Sequence, residues 1–177
     1  EVMEYQGRLY FMPRKKIREK TEELLEFCGL IDFRRRTVRK LSGGMKRKLM
    51  VCRALLTEPE ILLLDEPTAG MDALSRRQMW NLLRQLNDHN LTILLTTHYM
   101  EEAESLCQRV AFMDRGRLEE VSEPKKMVEQ LGHFAVDEMT SDGLKSHYFK
   151  NREDAIAHLS RLTGQTALRN TTLEDVF

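Results

Sequence analysis

Two adjacent carboxylates, Asp65 and Glu66, close the apolar run Ile61-Leu62-Leu63-Leu64 and are followed by Pro67. A short run of this kind reads as a strand buried on both faces of a parallel sheet. Such a strand delivers both acids to its carboxyl end, where open α/β sheets place ligands. One carboxylate there can hold Mg²⁺ while its neighbour orients a water molecule; the plainer reading is a pair of solvated turn acids. Upstream, Leu41-Ser42-Gly43-Gly44 opens a helical pattern. Backbone N–H groups without Cβ cover, a serine hydroxyl and the positive end of a helix dipole suit an anion such as phosphate, and they equally suit an ordinary serine cap. His98 ends a second apolar run after Thr96-Thr97. It can approach the same sheet edge and donate to an anion, or stand as a polar residue near the surface.

The elements that must position these residues follow from periodicity. Pro13 opens an amphipathic helix through Ile17, Thr21, Leu24, Leu25 and Cys28, which Gly29 stops. The stretch from Phe33 to Lys40 reads as polar linker. A helix from Leu41 runs through Leu49, Cys52, Leu55 and Leu56 to Pro59, and Asp72 can cap another through Leu74, Met79, Trp80, Leu83 and Leu86. With the runs at Ile61 and at Leu91 to Leu95, the order is strand, helix, strand: a parallel crossover unit. A helix at Glu101 to Cys107 and a hairpin turning at Asp114-Arg115-Gly116-Arg117 come next. After Pro124 the texture changes to a short helix, two strand-like segments around Ser141-Asp142-Gly143, and a helix that Asn151 is placed to cap. The reading is an α/β chain in three parts: a helical subdomain over 1–58, part of a mostly parallel sheet core over 59–131, and a small α/β module over 132–177.

Composition narrows the function classes. The 28 Lys and Arg balance 28 Asp and Glu across 177 residues, so no net charge draws the chain to nucleic acid or anionic lipid. The basic stretches Arg34 to Lys40 and Lys46 to Lys48 lack interleaved aromatics and read as solvated faces. No apolar run approaches the roughly 20 residues that span a bilayer, and Glu1-Val2-Met3-Glu4 has neither part of a signal peptide. Cys28, Cys52 and Cys107 lie far apart without ligand spacing, as reduced thiols packed like small apolar residues do.

The four motifs, taken in order, resemble the nucleotide-binding domain of ATP-binding-cassette (ABC) proteins over residues from about 5 to 124. Leu41-Ser42-Gly43-Gly44 is similar to the signature motif, Ile61 to Asp65 to the Walker B strand, Glu66 to the catalytic glutamate, Ala69 to Asp72 to the D-loop, and His98 to the switch histidine. The tail Thr172 to Phe177 resembles the end of ATPases serving ABC-2 type exporters. The resemblance implies a partial ABC-type domain in which Asp65 holds Mg²⁺, Glu66 polarises the attacking water and His98 contacts the γ-phosphate. It further implies that Ser42, Gly43 and Gly44 bind ATP seated on a second ATPase subunit of a homo- or heterodimer, with Asp72 communicating across the pair. A membrane permease is then the other partner, no nucleic acid is expected, and the location is cytoplasmic, against the inner face of the membrane. Two rivals remain: a non-transport ABC-type ATPase of DNA repair or translation, and a non-catalytic interaction module.

Two departures matter. Met45-Lys46-Arg47-Lys48 follows the glycines where the family often has Gln, which leaves the Ser-Gly-Gly amides intact. None of the nine glycines is followed by Lys, so the Walker A pattern G-x-x-x-x-G-K-[ST] is absent. The expectation is a fragment of a longer ATPase that starts in the helical subdomain and is inactive alone, with both ends cut and Phe177 at the start of a last helix through Thr171 and Glu174.

Overall fold

The computed structural model describes residues 1–176. The chain packs as two units, Glu1–His98 and the part from Tyr99 onward. In the first unit, α1 (Val2–Leu9) and α2 (Arg14–Phe27) meet where Gly7 stands: a Cβ there would lie 2.5 Å from Ile17 Cγ1, so only glycine lets the helices approach this closely. The sequence pattern gave no period for α1. Pro13 occupies the N-cap of α2, and Gly29 with φ 68° terminates it. Two 3₁₀ turns, Ile31–Phe33 and Val38–Lys40, stand where a linker is expected, and the Arg36 guanidinium lies 4.9 Å over the Phe33 ring. Helix α3 (Gly43–Leu55) starts at Ser42 as expected. Glu58, in the turn after α3, is clasped by Lys16 at 2.9 Å and Lys20 at 2.7 Å from α2.

Strands β1 (Ile61–Asp65) and β2 (Thr92–Thr96) pair in parallel, Ile61 opposite Thr92 through Asp65 opposite Thr96, with α4 (Ala73–Asp88) as the crossover. The crossover unit is therefore observed. Burial on both faces is not: side chains alternate across a strand, and Leu63 and Leu94 on one face are 70% and 65% exposed while Leu62 on the other is buried. A sheet of two strands has one covered face in this unit. The helices bury Met79, Trp80, Leu83, Cys52 and Leu56.

The second unit begins with α5 (Met100–Leu106) and the hairpin β3 (Val110–Asp114) and β4 (Arg117–Ser122). Arg115 and Gly116 both have positive φ, 45° and 77°, which matches strand twist at a two-residue turn. Then come α6 (Pro124–Leu131), β5 (Phe134–Thr140), β6 (Gly143–Phe149), α7 (Arg152–Leu159) and β7 (Thr166–Asn170). The last three strands form an antiparallel sheet in the order β6-β5-β7. Apart from that sheet, Ala103 of α5, Phe112 of β3, Met127 of α6 and Leu173 of the final 3₁₀ turn make a buried apolar cluster. Asn151 sits at the N-cap of α7 without a capping hydrogen bond; its Nδ2 reaches Asp154 instead. The expected Thr171/Glu174 cap is displaced by one residue: Thr172 donates from N and Oγ1 to Asp175, at 2.8 and 3.1 Å, at a 3₁₀ turn over Leu173–Val176. Phe177 lies outside the described residues.

Candidate functional site

The parallel pairing of β1 and β2 sets Asp65 beside Thr96 at the carboxyl ends of both strands. Thr96 Oγ1 donates to Asp65 Oδ1 at 2.5 Å, which fixes that carboxylate and leaves Oδ2 for a ligand. The next residue turns sharply. Glu66 has φ 48°, a left-handed backbone uncommon outside glycine and asparagine. Its N–H donates to the Thr96 carbonyl at 3.1 Å, with Thr96 Oγ1 at 3.2 Å. This strained residue is held by the neighbouring strand, as functional positions are. The turn points the Glu66 carboxylate at His98, whose Nδ1 lies 2.8 Å from Oε1 and 2.8 Å from Oε2. With Glu66 ionised, Nδ1 carries the proton and donates to it.

The chain then leads from Glu66 to the second group. Ala69 N donates to the Glu66 carbonyl and Met71 N to that of Thr68, whose side chain is fully buried. Asp72 caps α4: its Oδ1 accepts from Ser75 N at 2.9 Å and its Oδ2 from Ser75 Oγ at 2.6 Å. These bonds from Ser75 hold the Asp72 carboxyl below the usual range. Ser42 caps α3 in the same manner, its Oγ accepting from Met45 N at 3.2 Å. The N–H groups of Gly43 and Gly44 precede any intrahelical acceptor.

The two helix starts touch. A Cβ on Gly44 would meet Ser75 Oγ at 3.1 Å and Ser75 Cβ at 3.2 Å, whereas one on Gly43 would meet nothing within 4 Å. A recess of about 200 Å³ is lined there by Gly29, Ser42, Gly44, Lys48, Ser75 and Gln78, with Lys48 Nζ donating to Gln78 at 3.1 Å. A more open cleft of about 1200 Å³, between α1, α2 and the Arg34 to Arg39 stretch, is lined by none of Asp65, Glu66 and His98. The chemistry of the strand ends is the better guide to function than cleft size.

The structure thus brings Asp65, Glu66 and His98 together at one sheet edge, and Ser42, Gly43, Gly44 and Asp72 together through Ser75. Sequence reasoning passed over Ser75 and the role of Thr96. Both carry signals: Ser75 stands three residues after Asp72, the spacing of a capping pair, and Thr96 shares the strand-end position of Asp65 once the register is set. Among the described residues no cluster of three or more His, Cys, Asp or Glu forms a metal cage. One carboxylate with a spare oxygen fits a Mg²⁺ that keeps its waters and arrives with phosphates.

Known proteins agree with this architecture. The family model described as "ABC transporter" matches residues 3–69. The daunorubicin resistance ATP-binding protein DrrA3 of Streptomyces coeruleorubidus is 45% identical over 116 residues, 66% of this chain and 37% of that protein. The linearmycin resistance ATP-binding protein LnrL of Bacillus subtilis is 31% identical over 163 residues, 92% of this chain and 52% of its own length. The Nod factor export ATP-binding protein I of Cupriavidus metallidurans is 38% identical, covering 94% of this chain and 52% of that one. The chain spans about half the length of the latter two relatives, and less of the first. Among solved structures, MJ1267, an ATP-binding cassette of an ABC transporter, superposes with TM-score 0.60 at 25% identity, covering 65% of this chain and 47% of that one. Its ADP conformation, at 23% identity and TM-score 0.62 over 71% of this chain and 56% of that one, shares the fold. From the family match, the relatives and the fold together, the chain belongs to the ABC transporter ATPase family.

Proposed function

We propose that these residues form the signature, Walker B and switch part of an ATP-hydrolysing subunit that powers export. The observation that carries the reading is the Glu66–His98 pair beside Asp65 at the ends of two parallel strands. Magnesium, bound through Asp65 and phosphate oxygens, would neutralise phosphate charge. Glu66 takes the proton of the water that attacks the γ-phosphorus; the bond to the bridging oxygen breaks, and ADP and phosphate leave. His98 orients the Glu66 carboxylate through Nδ1 and, as the family resemblance implies, contacts the γ-phosphate. Ser42, Gly43 and Gly44 offer a hydroxyl and helix-terminal amides to a nucleotide on a second subunit, while Asp72 sets the start of α4 beside them. The open environment of Gly43 supports that role, since no neighbour among the described residues requires glycine there.

The phosphate-binding lysine and its loop are not in this sequence, so the 177 residues alone should bind MgATP weakly and turn none over. Export follows from relatives whose names state resistance and export, and a permease partner at the cytoplasmic face of the membrane follows from the family. No helix among the described residues is long and apolar enough to cross a membrane. The test is steady-state ATPase activity of the same residues joined to a P-loop segment. Turnover is expected there, with a loss of about 100-fold or more on Glu66→Gln. Turnover by the 177 residues alone, or full activity of the variant, contradicts the reading.

A further inference from the structure

Cys28 and Cys52 are 24 positions apart in the sequence, but α2 and α3 pack them together. Both are free and buried, Cys28 at 3% exposure and Cys52 at 0%. The Leu24 carbonyl accepts the Cys28 N–H at 3.0 Å and the Cys52 Sγ–H at 3.5 Å, so one acceptor locates both residues. The two thiols stand close enough to perturb one another's ionisation. Nothing in the nucleotide chemistry uses either group.

We propose that Cys28 and Cys52 are an oxidisable dithiol that closes, under a hydroperoxide, into a disulfide tying the end of α2 to the signature helix α3. The Cys28 sulfur attacks one peroxide oxygen, the O–O bond breaks, and after proton transfer a sulfenic acid and one water remain. The Cys52 sulfur then attacks the Cys28 sulfur and displaces the hydroxyl as a second water, its own thiol proton being transferred. Two thiols and one hydrogen peroxide give one disulfide and two waters. Cys28 is the suited nucleophile: the neighbouring Cys52 thiol and the Lys48 ammonium favour its thiolate and hold its pKa below the usual thiol range against the opposing effect of burial. Cys52, beside Cys28 and buried with its S–H donated to the Leu24 carbonyl, is pushed up and serves as the resolving thiol.

The closure reaches the signature motif. A disulfide needs its sulfurs about 2.05 Å apart, closer than any hydrogen-bonded pair, so the Cys28-Gly29 turn must move toward α3. Gly29 and Leu30 line the same recess as Ser42, Gly44 and Met45. Oxidation therefore reshapes the surface beside the signature amides, a consequence that matters for catalysis only if the function proposed above holds.

The experiment treats the native chain with hydrogen peroxide, blocks remaining thiols in denaturant, and maps the peptides by mass spectrometry. The expected result is loss of the Cys28 and Cys52 thiols in one Cys28–Cys52 linked peptide, two hydrogens lighter and restored by dithiothreitol, unchanged in Cys107→Ser. The same treatment in urea should give mixed pairings. Hydrogen exchange at the Met45 amide should change on oxidation of the chain but not of Cys52→Ser. Sulfinic acids at Cys28 or Cys52, bonds to Cys107 or between chains, or intact thiols after complete oxidation of Cys107 overturn the dithiol. A linked peptide with unchanged Met45 exchange overturns the transmission to the signature. No nucleotide enters the experiment, so its failure is separate from failure of the ATPase reading.

Discussion

Gly43 and Gly44 are chemically identical neighbours that answer to different constraints. Gly44 is pressed against Ser75, and Ser75 is itself fixed by its 2.6 Å bond to Asp72. A methyl group there has to displace that hydroxyl, and Gly44→Ala should cost about 1 kcal/mol, read as a lower thermal midpoint. Any charged substitution at Gly44 would confound this packing with phosphate repulsion, so Gly43 is the cleaner probe of an external ligand. Gly43→Ala should leave stability within about 0.5 kcal/mol while weakening ATP-driven pairing of subunits that carry a P-loop. Equal loss of stability in both variants would show that the two glycines serve the helix start alone. Ser42 offers a complementary check. Its hydroxyl accepts the Met45 N–H, so Ser42→Ala should destabilise the chain by about 1 kcal/mol in denaturant titration.

Among the elements, the antiparallel sheet of the second unit is fastened by charge rather than by a large core. Arg169 on β7 donates to Asp137 on β5 at 2.7 Å and to Asp175 in the final 3₁₀ turn at 2.6 Å, and Tyr148 on β6 donates to Asp175 as well. Arg169 holds the Asp175 carboxyl down to about 2 and keeps the Asp137 carboxyl low. A depressed folded pKa contributes stability above the ordinary carboxylate value near 4 and loses it as pH falls toward the folded value. The thermal midpoint of this unit should therefore drop between roughly pH 4 and pH 2. Asp175→Asn should flatten that drop and cost about 1 kcal/mol at neutral pH, given the solvent around the partly exposed Arg169; an unchanged acid profile would refute the clamp. None of this was legible in the sequence, because the clamp joins residues 32 and 6 positions apart whose meeting depends on strand order. The helix caps at Ser42 and Asp72, the strand at Ile61 and the Asp114 to Arg117 turn were legible, because each rests on a local pattern.

For the whole molecule, the sequence reveals the site better than it reveals the packing around it. Asp65, Glu66 and His98 could be placed at one sheet edge from two apolar runs and a crossover helix, since parallel pairing leaves them nowhere else to go. The left-handed turn at Glu66 that aims the carboxylate, the Ser75 link between helix starts and the Cys28–Cys52 contact all depend on tertiary register. Those relations become visible only when α2, α3 and α4 are packed. The exposed Leu63 and Leu94 face was missed for the opposite reason: an apolar run states that a strand seeks cover, not that cover lies within this unit. In the proposed function, Glu66 activates water for ATP hydrolysis in a paired subunit. The most direct measurement is light scattering on size-exclusion chromatography, with bound nucleotide quantified, for Glu66→Gln in a protein joining these residues to a P-loop. With MgATP, a stable dimer retaining unhydrolysed ATP is expected; monomers alone, together with turnover near that of the unsubstituted protein, would refute this role of Glu66.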